Sequence, residues 1–323
     1  MYRRAISSPS GQEIMNRIQR SWLLLKSSLQ VIFRNKVLLV FPVLIFTLTL
    51  LIALFFLVPF VLRPTGFAYT QAGHWVTISE SLFHSQTITR NHQTVHVEGL
   101  TPLAIACLCV MYFVTMFCAT FFNVAFYHEI LFALGGEGVS VRRGLQFAVK
   151  RWKAVLMWTL FAGLIGLIIK LIEQRLAVVG QILARIIGLA WSIASVFVIP
   201  AIVCDEETVS PVELLKQSAS ALKRTWGEAL ILYVGLKFAH LIGGIALLVV
   251  LAAGFFVTIA TRDMTILIAG AVLGVLAYIC WTYVVSVAEQ VYRAALFLFA
   301  SQGIVAEPYN EELLNMAWKH KAE

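Results

Sequence analysis

Ionisable side chains are scarce in this sequence, and a few stand where chemistry would need them. Lys237 and His240 lie one helical turn apart in an otherwise apolar run, with Gly243 and Gly244 a turn further on. His128 and Glu129 lie late in a second such run, and Glu289, Gln290 and Arg293 lie late in a third. A charge inside a membrane-spanning helix is costly, and it marks an ion path, a proton relay or a buried pair. Lys237 with Glu129 or Glu289 makes an ion pair, and the two histidines beside them extend it into a polar cluster able to hold a small solute or pass a proton. The plainer readings stand next to it. Side chains lean toward a helix N-terminus, so Lys237 reaches the interface by snorkelling, and His240 serves as a hydrogen-bonded buried histidine.

No enzyme constellation accompanies these residues. There is no nucleophile with a base, no pair of carboxylates inside an apolar run and no phosphate-binding glycine loop, so no catalytic residue and no enzyme activity is expected. The five cysteines, Cys107, Cys109, Cys118, Cys204 and Cys280, form no CxxC pair and read as small buried hydrophobes. Four histidines, His74, His84, His92 and His96, gather between residues 63 and 100. In a strand an i, i+4 pair stands about 13 Å apart, and no cysteine or aspartate joins them, so neither a metal nor another cofactor is expected.

The elements that must position these groups are spanning helices. Of the 323 residues, 60% are hydrophobic and 13% charged, against about 45–50% and about 25% in soluble domains. Val37 to Leu62 holds no charge at all, and about 20 helical residues cross a bilayer core. Backbone groups in lipid must be satisfied within the segment, which selects helix. Six runs qualify, at 37–62, 101–134, 154–173, 177–203, 229–259 and 264–300; the second and sixth exceed the bilayer and should emerge from it. The expected architecture is all-α: a cytoplasmic N-terminal segment 1–36, a six-helix domain 37–303 with an outer loop 63–100, and a cytoplasmic tail 304–323. Lys and Arg concentrate on the N-terminal side of this topology, while Arg63, Arg90, Lys170, Arg175, Arg185 and Arg262 fall on the other. The bias puts both ends in the cytoplasm of a bacterial inner membrane. In the outer loop, "HWVTIS" and "QTVHVEG" alternate like strands and suggest a small hairpin. Arg185 should pair with Glu173 or Asp263, or face headgroups.

An amphipathic segment precedes each pair of runs. Ile14, Ile18, Trp22, Leu25, Leu29 and Ile32 form the first stripe. Val141, Leu145, Ala148 and Trp152 oppose Arg142, Gln146, Lys150 and Lys153 in the second; Leu215, Ser218, Leu222 and Trp226 oppose Lys216, Ser220 and Lys223 in the third. Spacings of three and four are the helical signal. The exits match as well, "YHEILFALGGEGV" (127–139) against "YRAALFLFASQGI" (292–304). The unit is an amphipathic helix followed by a helical hairpin, written three times in one topology. Such helices lie in the interface with their cations toward headgroups, or pack on the extensions of the second and sixth spans. On the first alternative Arg17, Arg20, Lys26, Arg34, Lys36, Arg142, Arg143, Lys150, Lys216, Lys223 and Arg224 face anionic headgroups.

Four stretches carry a resemblance: "WSIASVFVIPAIV" (191–203), "ELLKQSASALKRTWGEAL" (213–230), "VYRAALFLFASQG" (291–303) and "YNEELLNMAW" (309–318). Through them the chain resembles a family of bacterial and archaeal multi-pass membrane proteins known as a domain of unknown function. The resemblance implies the fold and transfers no activity. The layout is also distantly similar to the membrane portion of some glycerophosphodiester phosphodiesterases, whose catalytic part has no counterpart here. The function expected is a non-enzymatic scaffold or modulator in the cell membrane; the alternative is a transporter or channel for a small solute or lipid that uses the polar cluster in the cytoplasmic half. Expected partners are the lipid bilayer with its anionic headgroups and a further copy or other membrane proteins, with no nucleic acid.

Overall fold

The computed structural model describes residues 17–310 apart from 91, 92, 176, 177 and 225, with the side chains of 22–83, 99–174, 180–224 and 239–310. The chain runs α1 (Arg17–Arg34), α2 (Val40–Val61), α3 (Ala72–Leu82), β1 (Phe83–Arg90), β2 (Gln93–Leu100), α4 (Pro102–Leu134), α5 (Val141–Lys150), α6 (Trp152–Arg175), α7 (Val178–Ala194), α8 (Val198–Cys204), α9 (Pro211–Arg224), α10 (Trp226–Thr261) and α11 (Met264–Gln302). Six stretches among the described residues are long and apolar enough to cross a membrane, α7 and α8 together supplying the fourth. Each amphipathic helix, α1, α5 and α9, precedes one hairpin of spans, as the repeat requires.

Local chemistry sets the boundaries. Thr101 caps α4 by accepting the Ala104 N–H at 3.3 Å, and Pro102 follows at the first helical position, where its missing N–H costs nothing. Asp263 caps α11 through the Thr265 N–H at 2.9 Å. Gly303 ends α11 in the left-handed region (φ 71°), a conformation in which a Cβ is strained. The matched exits differ here. The alignment sets Gly138 opposite Gly303, but the left-handed glycine after α4 is Gly136 (φ 80°).

The segment 63–100 departs from expectation in one place. "QTVHVEG" is strand, paired antiparallel from Phe83↔Leu100 to Arg90↔Gln93. "HWVTIS" is not; it belongs to α3. His74 and Ile78 stand one turn apart and both are buried, and Thr77 donates to the Gly73 carbonyl. A run this short fits both periods, and burial of the i, i+4 pair decided for helix. Of the loop histidines, His74 is buried against Thr65 Oγ1 at 2.7 Å and the Val61 carbonyl at 3.0 Å; His92 and the side chains of His84 and His96 lie outside the described ones.

The buried core sits at one end. It takes one face each of α1, α5 and α9, the start of α2, the last turns of α4, the start of α6, most of α8 and the last turns of α11. At 1.5 Å per residue, α4 and α11, of 33 and 39 residues, run about 50 and about 58 Å, beyond a core of about 30 Å. Their surplus reaches into the layer that α1, α5 and α9 build. Away from that end, large apolar side chains such as Phe55, Leu248, Phe256 and Leu273 are exposed. Lipid tails are as apolar as leucine, so no hydrophobic drive buries them.

Candidate functional site

Among the described residues Glu129 is the most deeply placed carboxylate, with no exposed side-chain surface. Its partner is Arg143 of α5. Nε donates to Oε1 at 2.9 Å and Nη2 to Oε2 at 2.7 Å, a bidentate pair. Oε2 also accepts the Ser140 N–H at 2.6 Å, at the mouth of α5, and His128 Nδ1 lies 3.0 Å from Oε1. Arg143 rests over the Phe132 ring at 3.7 Å, and the His128 ring stacks on Phe147 at 4.1 Å. A backbone N–H, a fork of two guanidinium donors and an aromatic lid satisfy the carboxylate fully, the condition for burying it. Gly144 lets α5 come this close: a Cβ there would lie 2.7 Å from the Ala125 carbonyl oxygen.

Among the described residues of the expected polar cluster, Glu129 groups with His128 and Arg143, and Glu289 groups with Arg293. Glu289 accepts from Arg293 Nη2 at 2.9 Å within α11, and Tyr127 donates to Gln290 Oε1, tying α4 to α11. Glu129 turns to α5 instead, because Arg143 reaches it from the next element in sequence. The Lys237 side chain lies outside the described ones. His240 is half-buried and makes no hydrogen bond or ion pair with another described residue. Next to it, Trp281 Nε1 donates to the Ala239 carbonyl at 2.9 Å and its ring presses on Gly243, whose Cβ would lie 2.3 Å away. Arg185 does find Glu173, at 3.6 Å, beside Lys170 at 3.2 Å.

A second polar centre escaped the sequence reading. The fourth span breaks at 195–197. Pro200 has no N–H for the Val196 carbonyl, and a proline in a helix interior opens the turn before it. Ser218 of α9 fills the gap: its hydroxyl donates to the Ala194 carbonyl at 2.6 Å and accepts the Phe197 N–H at 3.0 Å. At the far end of α8, Arg151 lies buried among backbone carbonyls. It donates to Ile202 at 3.2 Å, to Asp205 at 2.7 Å, to Thr208 at 2.7 Å and to Glu206. A guanidinium on the last carbonyls of a helix satisfies orphan acceptors and opposes the negative end of its dipole. Burial lowers the Arg151 pKa, and the Asp205 and Glu206 carboxylates offset part of that. Asp205 in turn accepts from Thr208 Oγ1 and from Gln217 of α9, both at 2.6 Å. These bonds hold its carboxyl down to about 2. So α8 is held at its start by α9 and at its end by the α5–α6 junction. Pro200 was the one signal available in advance. Ser28 of α1 does similar work, meeting Tyr309 Oη at 2.8 Å.

Each amphipathic helix divides into three sectors, in the same rotational order. On α5, Gly144, Phe147 and Ala148 face the bundle; Leu145 and Val149 come next, Val149 59% exposed; Arg142, Gln146 and Lys150 complete the circle, all exposed, and Trp152 and Lys153, exposed too, follow at the start of α6. On α9 the sectors are Leu214, Ser218 and Ala221, then Leu215, Ala219 and Val212, then Lys223 and Lys216. On α1 they are Leu24, Ser28 and Val31, then Leu29, Trp22 and Phe33, then Lys26, Gln30 and Arg34. One apolar sector of each helix therefore packs on the bundle, while a second stays exposed beside the cations. Two expected headgroup cations bond to the protein: Arg143 to Glu129, and the exposed Arg224 to the Ala300 carbonyl at 3.1 Å. Arg17 and Arg20 lie in α1, with side chains outside the described ones; Lys36 is exposed at the foot of α2.

The model of a family of unknown function, DUF6159, matches residues 103–306. The chain belongs to that family. The DUF6159 match takes in α4 to α11, with the break at 195–197 and its Ser218 and Arg151 supports, and leaves out α1 to β2. Three of the four stretches behind the resemblance fall inside it; the one at 309–318 lies beyond. No curated protein and no solved structure matches the chain, and nothing further supports the likeness to glycerophosphodiester phosphodiesterases.

Proposed function

We propose that this DUF6159 member is a non-enzymatic scaffold or modulator in a bacterial plasma membrane, both ends of the sequence and the layer of α1, α5 and α9 being cytoplasmic. The observation that carries the reading is how the polar side chains are spent. Glu129, Arg143, Arg151, Asp205 and Ser218 all join one element to another. A buried carboxylate that already accepts three close donors has little capacity left for a passing cation or proton. What the fold leaves open is apolar surface along the spans and a basic rim at the layered end, which suit lipid and other membrane proteins, a second copy included. Flux from proteoliposomes loaded with small labelled solutes tests the reading. Leakage equal to that of protein-free vesicles is expected. Flux that Lys237→Ala or Glu129→Gln abolishes would replace the scaffold with a transporter.

A further inference from the structure

We propose that the outward face of α5 is a binding site for the headgroup of an anionic phospholipid. The proposal rests on the membrane reading above and adds a partner to it. Five cations lie between residues 142 and 153, and the fold divides them by use. Arg143 and Arg151 turn inward, to Glu129 and to the carbonyls around α8. Arg142, Lys150 and Lys153 stay on the exposed face. Arg142, Lys150 and Lys153 make no hydrogen bond or ion pair with a described residue, and Lys153 Nζ lies 6.0 Å from the Trp152 ring centre.

Along α5, Arg142, Gln146 and Lys150 stand at i, i+4 and i+8 in one column, neighbours about 5–6 Å apart, and Lys153 follows at the start of α6. No acidic residue interrupts it, whereas Glu213 sits beside the lysines of α9. Along the column runs the open apolar stripe of Val149 and Trp152. A basic column alone would suit any polyanion. One bordered by exposed apolar side chains suits an amphiphile whose phosphate meets the cations while its glycerol and upper acyl chain meet the stripe. Position agrees. The α5 helix is pressed onto α4 at Gly144 and leads through Arg151 directly into the spanning α6, so its open face lies at the height where a span enters the leaflet. Soluble phosphate would use the cations and leave the stripe unused.

The test uses the full chain in bilayer nanodiscs containing trace spin-labelled phosphatidylglycerol or phosphatidylcholine, and reads the fraction of label immobilised at the protein. Wild type should hold the anionic label several-fold more strongly, with about fivefold for each cation engaged. The preference should fall toward parity in R142Q/K150Q/K153Q, persist in K216Q/K223Q on α9, and resist added inorganic phosphate. Equal retention of both labels by wild type would overturn the site, as would a preference that survives in the α5 variant. An equal loss in the α9 variant would reduce it to general surface charge, and displacement by phosphate would reassign it to a soluble anion. The three substituted residues are exposed, and a monodisperse size-exclusion peak checks that the variant folds; raising the salt on wild type gives an independent readout, since a charge-driven preference weakens. Solute flux is a separate measurement, so failure of this site and failure of the scaffold reading are told apart.

Discussion

Arg143 makes two of the close hydrogen bonds to Glu129, so removing the carboxylate leaves a guanidinium, 36% exposed, with the Gly138 carbonyl and the Phe132 ring. Breaking a fully buried pair costs about 3–5 kcal/mol; with Arg143 partly wet, Glu129→Ala should cost about 2–4 kcal/mol. The midpoint of unfolding in mixed detergent micelles measures this. Lys170→Ala, at an exposed pair, should stay within about 0.5 kcal/mol of wild type. Asp205 gives a pH test with a definite sign. Its carboxyl lies at about 2, below its ordinary 3.8, through the Thr208 hydroxyl first and the Gln217 amide second. A depressed carboxyl stabilises the fold above the ordinary value, and that contribution disappears as pH falls from 3.8 through about 2. Asp205→Asn should therefore flatten the loss of stability in that window. A variant whose acid profile matches wild type would show that the carboxylate contributes nothing there.

At the scale of elements, α8 stands out because neither of its ends is satisfied by its own chain continuing as helix. Pro200 opens the fourth span, and Ser218 repairs it from α9. Coupling between the two follows. Ser218→Ala should cost about 1–3 kcal/mol with Pro200 present, as an unpaired buried group does. It should cost measurably less in a Pro200→Ala background, where the turn at 195–197 can close on itself. A double-mutant cycle reads the difference, and strict additivity would contradict the repair. Close packing offers a sharper contrast. Gly144→Ala would place a Cβ 2.7 Å from a backbone oxygen of α4, while Gly244→Ala meets nothing within 4 Å. The first should destabilise by about 1–3 kcal/mol. The second should be neutral or gain up to about 1 kcal/mol of helix propensity.

At the scale of the molecule, three amphipathic helices gather at one end of six spans, and the buried core lies beneath them. The arrangement predicts sidedness. In a cysteine-free background, Gln146→Cys should react with an impermeant maleimide only after the cell is opened, and Arg262→Cys, between α10 and α11, should react in intact cells. Labelling of residue 146 from outside would invert the topology and remove the cytoplasmic assignment of the layer.

Long-period information was already in the sequence. Runs free of charge give spans, because an unsatisfied backbone in lipid forces helix over about 20 residues. The three amphipathic segments gave the repeat, because periods of three and four survive whatever the helix packs against. Short runs such as "HWVTIS" were ambiguous, since six residues fit two periods equally well. The direction in which a given cation turns could not be read at all. Arg142 and Arg143 are adjacent and chemically alike, yet one faces outward and the other closes on Glu129. That choice depends on 100° of helix rotation and on which carboxylate the neighbouring span brings within reach, which is a property of the packed tertiary structure alone. The same holds for Ser218 and Arg151, whose partners are backbone groups left open by the break at 195–197 and by the end of α8, and such groups carry no mark in the sequence.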